Sequence, residues 1–192
     1  MTNSEILKKG EVAPGDMVAR WHFSFKPPIR PAVDLILPGD CFFRNNIFHP
    51  DIKGLRRVEA GFLKVSPVLR GSGIGERLVR GLGALSQKYA CPEIFLCIAS
   101  QYSFDILERV YGRERMEIHH VDGYNLRGVS PSSTMGRINN ANFEEVRQTL
   151  VDLAGLEADL ELRDHGFPIT VDLDGLDTTD WELPLDQATW TG

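Results

Sequence analysis

An α/β fold is predicted for this chain of 192 residues by three features that follow one another. A strand-like segment, "RVEAGFLKVSP" (57–67), ends at a proline. The glycine loop "RGSGIG" (70–75) opens a stretch of helical periodicity. A continuous apolar run of strand length, "EIFLCIAS" (93–100), comes next. Strand, glycine loop, helix, strand is the order of an α/β protein. The length suffices for one domain with a real core and a modest extension. With 42% hydrophobic and 25% charged residues the composition is that of a globular protein, not a disordered or fibrous one.

Each element has its own signal. "MVARWHFSF" (17–25) alternates as a strand does. "KPPIRP" (26–31) breaks regular structure, because its three prolines remove donors and fix φ. "AVDLILPG" (32–39) and "CFFRNNIF" (41–48) read as a further strand or hairpin, bounded by Pro38-Gly39 and by His49-Pro50. From Ile74 to Tyr89 the apolar positions Ile74, Leu78, Leu82 and Leu85 repeat at helical spacing. The run 93–100 is typical of a strand buried on both faces. "YSFDILERVYG" (102–112) is a short helix stopped by Gly112, and 116–129 holds one or two further strands. Asn142 with Glu145 forms a capping box for a helix from Phe143 to about Arg163. Its stripe of Phe143, Val146, Leu150, Leu153, Leu156 and Leu160 packs on the body or forms the seam of a homodimer.

Charge is unevenly spread. Residues 164–192 hold seven of the 27 acids and no Lys or Arg, so residues 1–163 carry 20 acids against 21 bases. A polyanionic cofactor meets no global negative field on such a body. The acidic tail also holds Trp181 and Trp190, which a purely solvating segment does not need. It is expected to dock through them, with its acids near the basic residues between Arg20 and Arg57. Cys41, Cys91 and Cys97 fit no zinc spacing and read as reduced thiols. No apolar run reaches the roughly 18 residues of a membrane span, and the first residues lack a signal peptide's apolar stretch. The expectation is a cytoplasmic protein with no membrane partner and no metal.

The glycine loop carries the chemistry. Gly71, Gly73 and Gly75 permit φ > 0 and a close approach to the backbone. Successive amides there make a concave anion site, to which the following helix adds its dipole and Arg70 a full charge. The alternative is a plain strand-to-helix turn. The loop is no Walker motif, since no Gly-Lys-Ser/Thr follows, and it matches a dinucleotide fingerprint only loosely.

"GFLKVSPVLRGSGIGERLV" resembles the acetyl-coenzyme A signature of the GNAT N-acetyltransferases, in which Arg/Gln-x-x-Gly-x-Gly/Ala corresponds to Arg70-x-x-Gly73-x-Gly75. The likeness runs through "EIFLCIASQYSFDILERVYG" and covers about residues 57–120. It implies a GNAT-like, mixed, mostly antiparallel central sheet with flanking helices and a splayed slot for coenzyme A. The family's N-terminal helices are replaced here by a short Pro-rich segment. The implied layout is an acyltransferase domain at 1–130, a helical extension at 131–163 and the tail at 164–192. Acetyl-CoA is then the cosubstrate. Its pantetheine would lie on the backbone of Leu63, Lys64 and Val65, and its pyrophosphate on the amides of Gly71, Ser72, Gly73, Ile74 and Gly75 beside Arg70. An amide near Lys64–Val65 would hold the thioester oxyanion.

Acyl transfer to an amine requires removal of a proton from the ammonium and protonation, or toleration, of a thiolate. Glu59, eleven residues before Arg70, matches the offset of the glutamate in the histone-acetyltransferase branch. A solvated strand-edge role is the alternative for it, and His22, His49, His119 and His120 are alternative bases. The family's tyrosine, four residues before the helix-ending glycine, is Glu108 here. Tyr111 and Tyr102 are the candidates for the acid, with Tyr111 the first choice. The family's asparagine at the start of this helix is Gln101.

These readings make the chain an acyl-CoA-dependent N-acyltransferase, acetyl by preference, acting on a primary amine of a small molecule or protein. Two alternatives remain. Arg20, Lys26, Arg30, Arg44, Lys53, Arg56 and Arg57 interleave with Trp21, Phe23, Phe25, Phe42, Phe43 and Phe48, as in an enzyme that modifies nucleic-acid bases. A half-buried sheet with a basic face explains the same pattern and is preferred. The other alternative is a non-catalytic CoA-binding interaction protein.

Overall fold

The computed structural model describes residues 15–24, 30–52, 55–118, 141–154 and 166–187. It is a mixed α/β structure with three α-helices among those residues, divided into two units. One comprises Met1–Ile94 with Leu173–Gly192, the other Phe95–Asp172.

The first unit is built on an antiparallel meander: β1 (Val18–Ser24), β2 (Arg30–Leu37), β3 (Cys41–Ile52) and β4 (Leu55–Glu59). β2 and β3 are joined through Pro38-Gly39-Asp40, where Gly39 and Asp40 both take positive φ. The alternation expected of 17–25 is present as far as Trp21: Met17, Ala19 and Trp21 are buried, while Arg20 is exposed. In β2 and β3 neighbouring residues are buried together, Ala32 with Val33 and Cys41 with Phe42 and Phe43. Helix α1 (Ile74–Lys88) packs against β2 and β3. At Gly81 it lies against the residue before β1: a Cβ there would stand 2.4 Å from the Met17 sulfur.

Two strand boundaries differ from those read in the sequence. β3 runs past His49-Pro50 to Ile52, with its register against β4 shifting between His49 and Ile52. Pro50 has no N–H for the ladder, so it disturbs the pairing without ending the strand. The segment 57–67 is not one strand. β4 stops at Glu59, and β5 (Phe62–Lys64) follows after a gap at Ala60-Gly61. Both pair with β3, Glu59 opposite Ile47 and Phe62 opposite Arg44. The two strands therefore advance equally across the gap. The ladder opens there without an inserted residue, at a glycine that has no side chain to pack.

The second unit holds the last residues of β6 (Glu93–Ile98), α2 (Gln101–Tyr111), β7 (Met116–Ile118), α3 (Phe143–Ala154) and β8 (Phe167–Asp172). β8 lies between β7 and β6. α2 starts at Ser100, whose hydroxyl accepts the Ser103 amide at 3.2 Å, and stops at Gly112 with φ 87°. The capping box is formed: Asn142 Oδ1 accepts the Glu145 amide at 3.0 Å, and Glu145 Oε2 accepts the Asn142 amide at 3.1 Å. Phe143, Val146 and Leu150 of α3 are buried. Phe143 meets Phe104 of α2 and Phe167 of β8 at centroid distances of 5.8 and 5.4 Å. The rest of the predicted helix, 155–163, lies outside the described residues, as does 119–129 of the predicted strands. β6 is buried on one face: Ile94, Leu96 and Ile98 are inside, whereas Cys97 is exposed. An unbroken apolar run cannot tell one buried face from two, so the two-faced expectation is corrected here. No described helix is long and apolar enough to cross a membrane, and no described group of acids, His and Cys could hold a metal.

The acidic segment 164–192 contains β8 and a last strand, β9 (Leu185–Gln187), which joins β1 in parallel. Two of its described acids turn to α1: Glu182 pairs with Arg77, and Asp186 with Lys88 at 2.5 Å. Asp186 also accepts from Trp21 Nε1 at 3.0 Å, and Glu182 from the Met17 amide at 3.1 Å. Strand pairing along β1 places these acids beside the helix. Trp190 is outside the described residues.

The hydrogen bond from Arg77 holds the Glu182 carboxyl below its ordinary range, against desolvation. At Asp186 desolvation pulls upward, and the bonds from Lys88, Trp21 and Tyr89 outweigh it. Both groups bind protons less readily folded than unfolded. Their contribution is therefore complete above the ordinary carboxylate pKa of about 4 and is lost as pH falls through the lowered folded values. Calorimetric melting midpoints are expected to fall below about pH 4, and less steeply in Glu182→Gln/Asp186→Asn.

Candidate functional site

The glycine loop occupies the position that the sequence assigns to it, between β5 and α1. Its shape is set residue by residue. Pro67 opens a short 3₁₀ turn, Pro67–Leu69, for which its ring pre-sets φ. Cys41 Sγ accepts the Ser66 amide at 3.3 Å and ties the turn to β3. Leu69 lies over Gly39, where a Cβ would come within 2.6 Å of its Cδ1. Gly71 and Gly73 then take φ of 79° and 85°. These left-handed conformations cost an L-residue roughly 1–2 kcal/mol, which explains both glycines.

Gly73 is the N-cap of α1 and has no side chain with which to cap it. The first helical bond runs from the Arg77 amide to the Gly73 carbonyl at 3.0 Å. The amides of Ile74 and Gly75 come before it, in the first turn, where the helix itself supplies no acceptor. They converge on the positive end of the helix dipole. Ser72 differs from expectation in detail: it is buried, and its hydroxyl donates to the Leu69 carbonyl at 2.5 Å. Its hydroxyl stabilises the turn, and its amide also points to Leu69, at 3.3 Å. Arg70 is exposed beside the loop.

β5 leads into this loop. Among the described strands it pairs with β3 alone. A strand bonded on one side turns every second N–H and C=O outward, so Phe62, Leu63 and Lys64 present an open backbone edge. Phe62 is 59% and Val68 83% exposed, which gives this edge an apolar margin. Lys64 pairs with Asp40, and its ammonium lies 5.3 Å from the Phe42 ring centroid.

Glu59 ends β4, one gap before β5. It is half-buried, and its Oε1 accepts from Arg57 Nη2 at 2.9 Å. His22 lies on β1, with Nε2 3.4 Å from Asp34 Oδ1. The side chain of His49 and residues His119 and His120 are outside the described parts. Tyr111 ends α2 in the second unit and is 3% exposed, a core position; Tyr102 at the start of that helix is 45% exposed. Glu108 is exposed, and its carbonyl accepts the Gly112 amide at 3.0 Å. The aromatics interleaved with the basic residues divide. Trp21, Phe42 and Phe43 are buried, and Phe23 is 52% exposed.

A cavity of about 370 Å³ adjoins the loop at Gly73. Glu76, Arg77 and Arg80 of α1 line it, with Asp180, Trp181 and Glu182 of the C-terminal segment. Arg77 donates to Glu182 through both Nε and Nη2, and through Nη2 to the Gly15 carbonyl at 2.5 Å. The Arg80 guanidinium stands 5.8 Å from the Trp181 ring centroid. Sequence reasoning did not find this group. The signal available was the i, i+3 spacing of Arg77 and Arg80 on the helix face away from Leu78 and Leu82.

Comparison with family models, curated proteins and solved structures finds no match for this chain.

Proposed function

We propose that the chain is an acyl-CoA-dependent N-acyltransferase, acetyl by preference, acting on a primary amine of a small molecule or protein. The observation that carries this reading is the uncapped start of α1 behind Gly71 and Gly73, both left-handed, at the end of a one-sided strand. That arrangement supports the resemblance of Arg70-x-x-Gly73-x-Gly75 to the GNAT signature. The pyrophosphate of acetyl-CoA rests on the amides of Gly73, Ile74 and Gly75, with Arg70 beside it. The pantetheine amides pair with the open edge at Leu63, Lys64 and Val65, as an added strand would. An amide near Lys64–Val65 stabilises the oxyanion as the amine attacks the thioester carbonyl. Glu59 takes the amine's proton. The thiolate leaves and is protonated by water; Tyr111, buried in the second unit, is not assigned this step.

Calorimetric titration with CoA tests the site. Gly73→Glu puts a strained side chain and a negative charge where phosphate must sit. Each lost amide–phosphate bond costs about 1.5–3 kcal/mol, so affinity is expected to fall by at least tenfold per bond. Equal affinity in wild type and variant, both folded by circular dichroism, overturns the reading. Acyl transfer from acetyl-CoA to amines, measured on wild type, distinguishes an enzyme from a binding protein.

A further inference from the structure

The C-terminal segment places carboxylates at the end of α1 where an anion is to bind. Asp180 and Glu182 line the cavity that begins at Gly73, together with Glu76. Three carboxylates there face two guanidiniums, Arg77 and Arg80. Arg77 sits one turn after the N-cap and lines the same cavity as Gly73, yet its guanidinium is turned to Glu182. Trp181 lies under Arg80. The far end of the segment is secured separately, by β9 on β1 and by Asp186 with Lys88 and Trp21. Asp180 is exposed, so its charge adds to the field without being needed to fill the core.

We infer that residues 180–182 form an internal anionic strap that competes with phosphate for the cationic first turns of α1 and so sets the affinity of the glycine loop. The inference rests on the phosphate-site reading above. An anion approaching Gly73 meets the field of Asp180 and Glu182. It gains Arg77 only when Glu182 lets go, and Arg80 only when the side chain leaves Trp181. Ligand binding and strap docking thus oppose each other, and each weakens the other by the same factor. A polyanionic partner or raised ionic strength shifts the balance by screening the strap.

The test uses the full chain and inorganic pyrophosphate as probe, titrated calorimetrically at low and at high ionic strength. Asp180→Asn removes one charge at an exposed position and is expected to tighten pyrophosphate about three- to tenfold at low ionic strength. Glu182→Gln should tighten it at least as much, since it also loosens Arg77. Both gains should shrink as salt rises. Pyrophosphate binding that Gly73→Glu abolishes, but that Asp180→Asn leaves unchanged or weakens at low ionic strength, overturns the strap while sparing the loop. Wild type and Gly73→Glu binding pyrophosphate alike would remove the phosphate site and the strap's role with it. Because Asp180→Asn touches no packing, its result stands even if Glu182→Gln destabilises the fold.

Discussion

Glu59→Gln is expected to lower kcat for acyl transfer by roughly 10²–10⁴ and to leave CoA affinity nearly unchanged. The reason lies in placement. Glu59 ends β4 directly before the gap at Ala60-Gly61, while the proposed coenzyme contacts begin on β5 beyond that gap. In the proposed reaction a base in this position would meet the acceptor amine and not the phosphates. Glutamine has the same shape and can still accept from Arg57, so the hydrogen bond at 2.9 Å is weakened without emptying the site. The acidic limb of the pH–rate profile should disappear with the carboxylate. Normal turnover in a variant that binds CoA would transfer the role to His22, which already has Asp34 beside its ring, or to water.

A chain ending at Arg163 is expected to lose cooperative folding. Read by charge, residues 164–192 are an acidic tail whose removal uncovers a basic surface. In the structure the removal also takes β8, whose Phe167, Ile169 and Val171 are at most 1% exposed, and Leu173, which is fully buried. Phe167 also loses its ring contacts with Phe143 and Phe104, at 5.4 and 6.3 Å. Each large buried side chain removed costs about 2–5 kcal/mol, against a total stability of about 5–15 kcal/mol. Circular dichroism should show no sigmoidal melt. A chain ending at Leu176 keeps β8 and Leu173 and loses the anchors at Glu182 and Asp186. It should melt cooperatively at a lower temperature. A cooperative melt of the shorter chain near the wild-type midpoint would show that β8 is dispensable.

The sequence by itself determined the elements whose signals are local. α1 follows from the spacing of Ile74, Leu78, Leu82 and Leu85. The stop of α2 follows from Gly112, and the start of α3 from Asn142 with Glu145. The glycine loop follows from chirality, since only glycine takes φ near 80° at Gly71 and Gly73 without strain. Each of these depends on neighbours within one helical turn, which a linear reading contains. Strand ends were legible only in part, because Pro50 and Gly61 say that a ladder is disturbed and not whether it continues. What tertiary structure alone decided is partnership at long range. Residues 77 and 182 are 105 positions apart, and no periodicity relates them. β9 pairs with β1 because a sheet edge accepts any strand of suitable backbone, a bond that side-chain identity hardly encodes. That pairing carried Glu182 and Asp186 to α1. Long-range pairing likewise made Phe167–Asp172 and Leu185–Gln187, which composition describes as parts of a charged tail, into a buried strand and a strand beside β1.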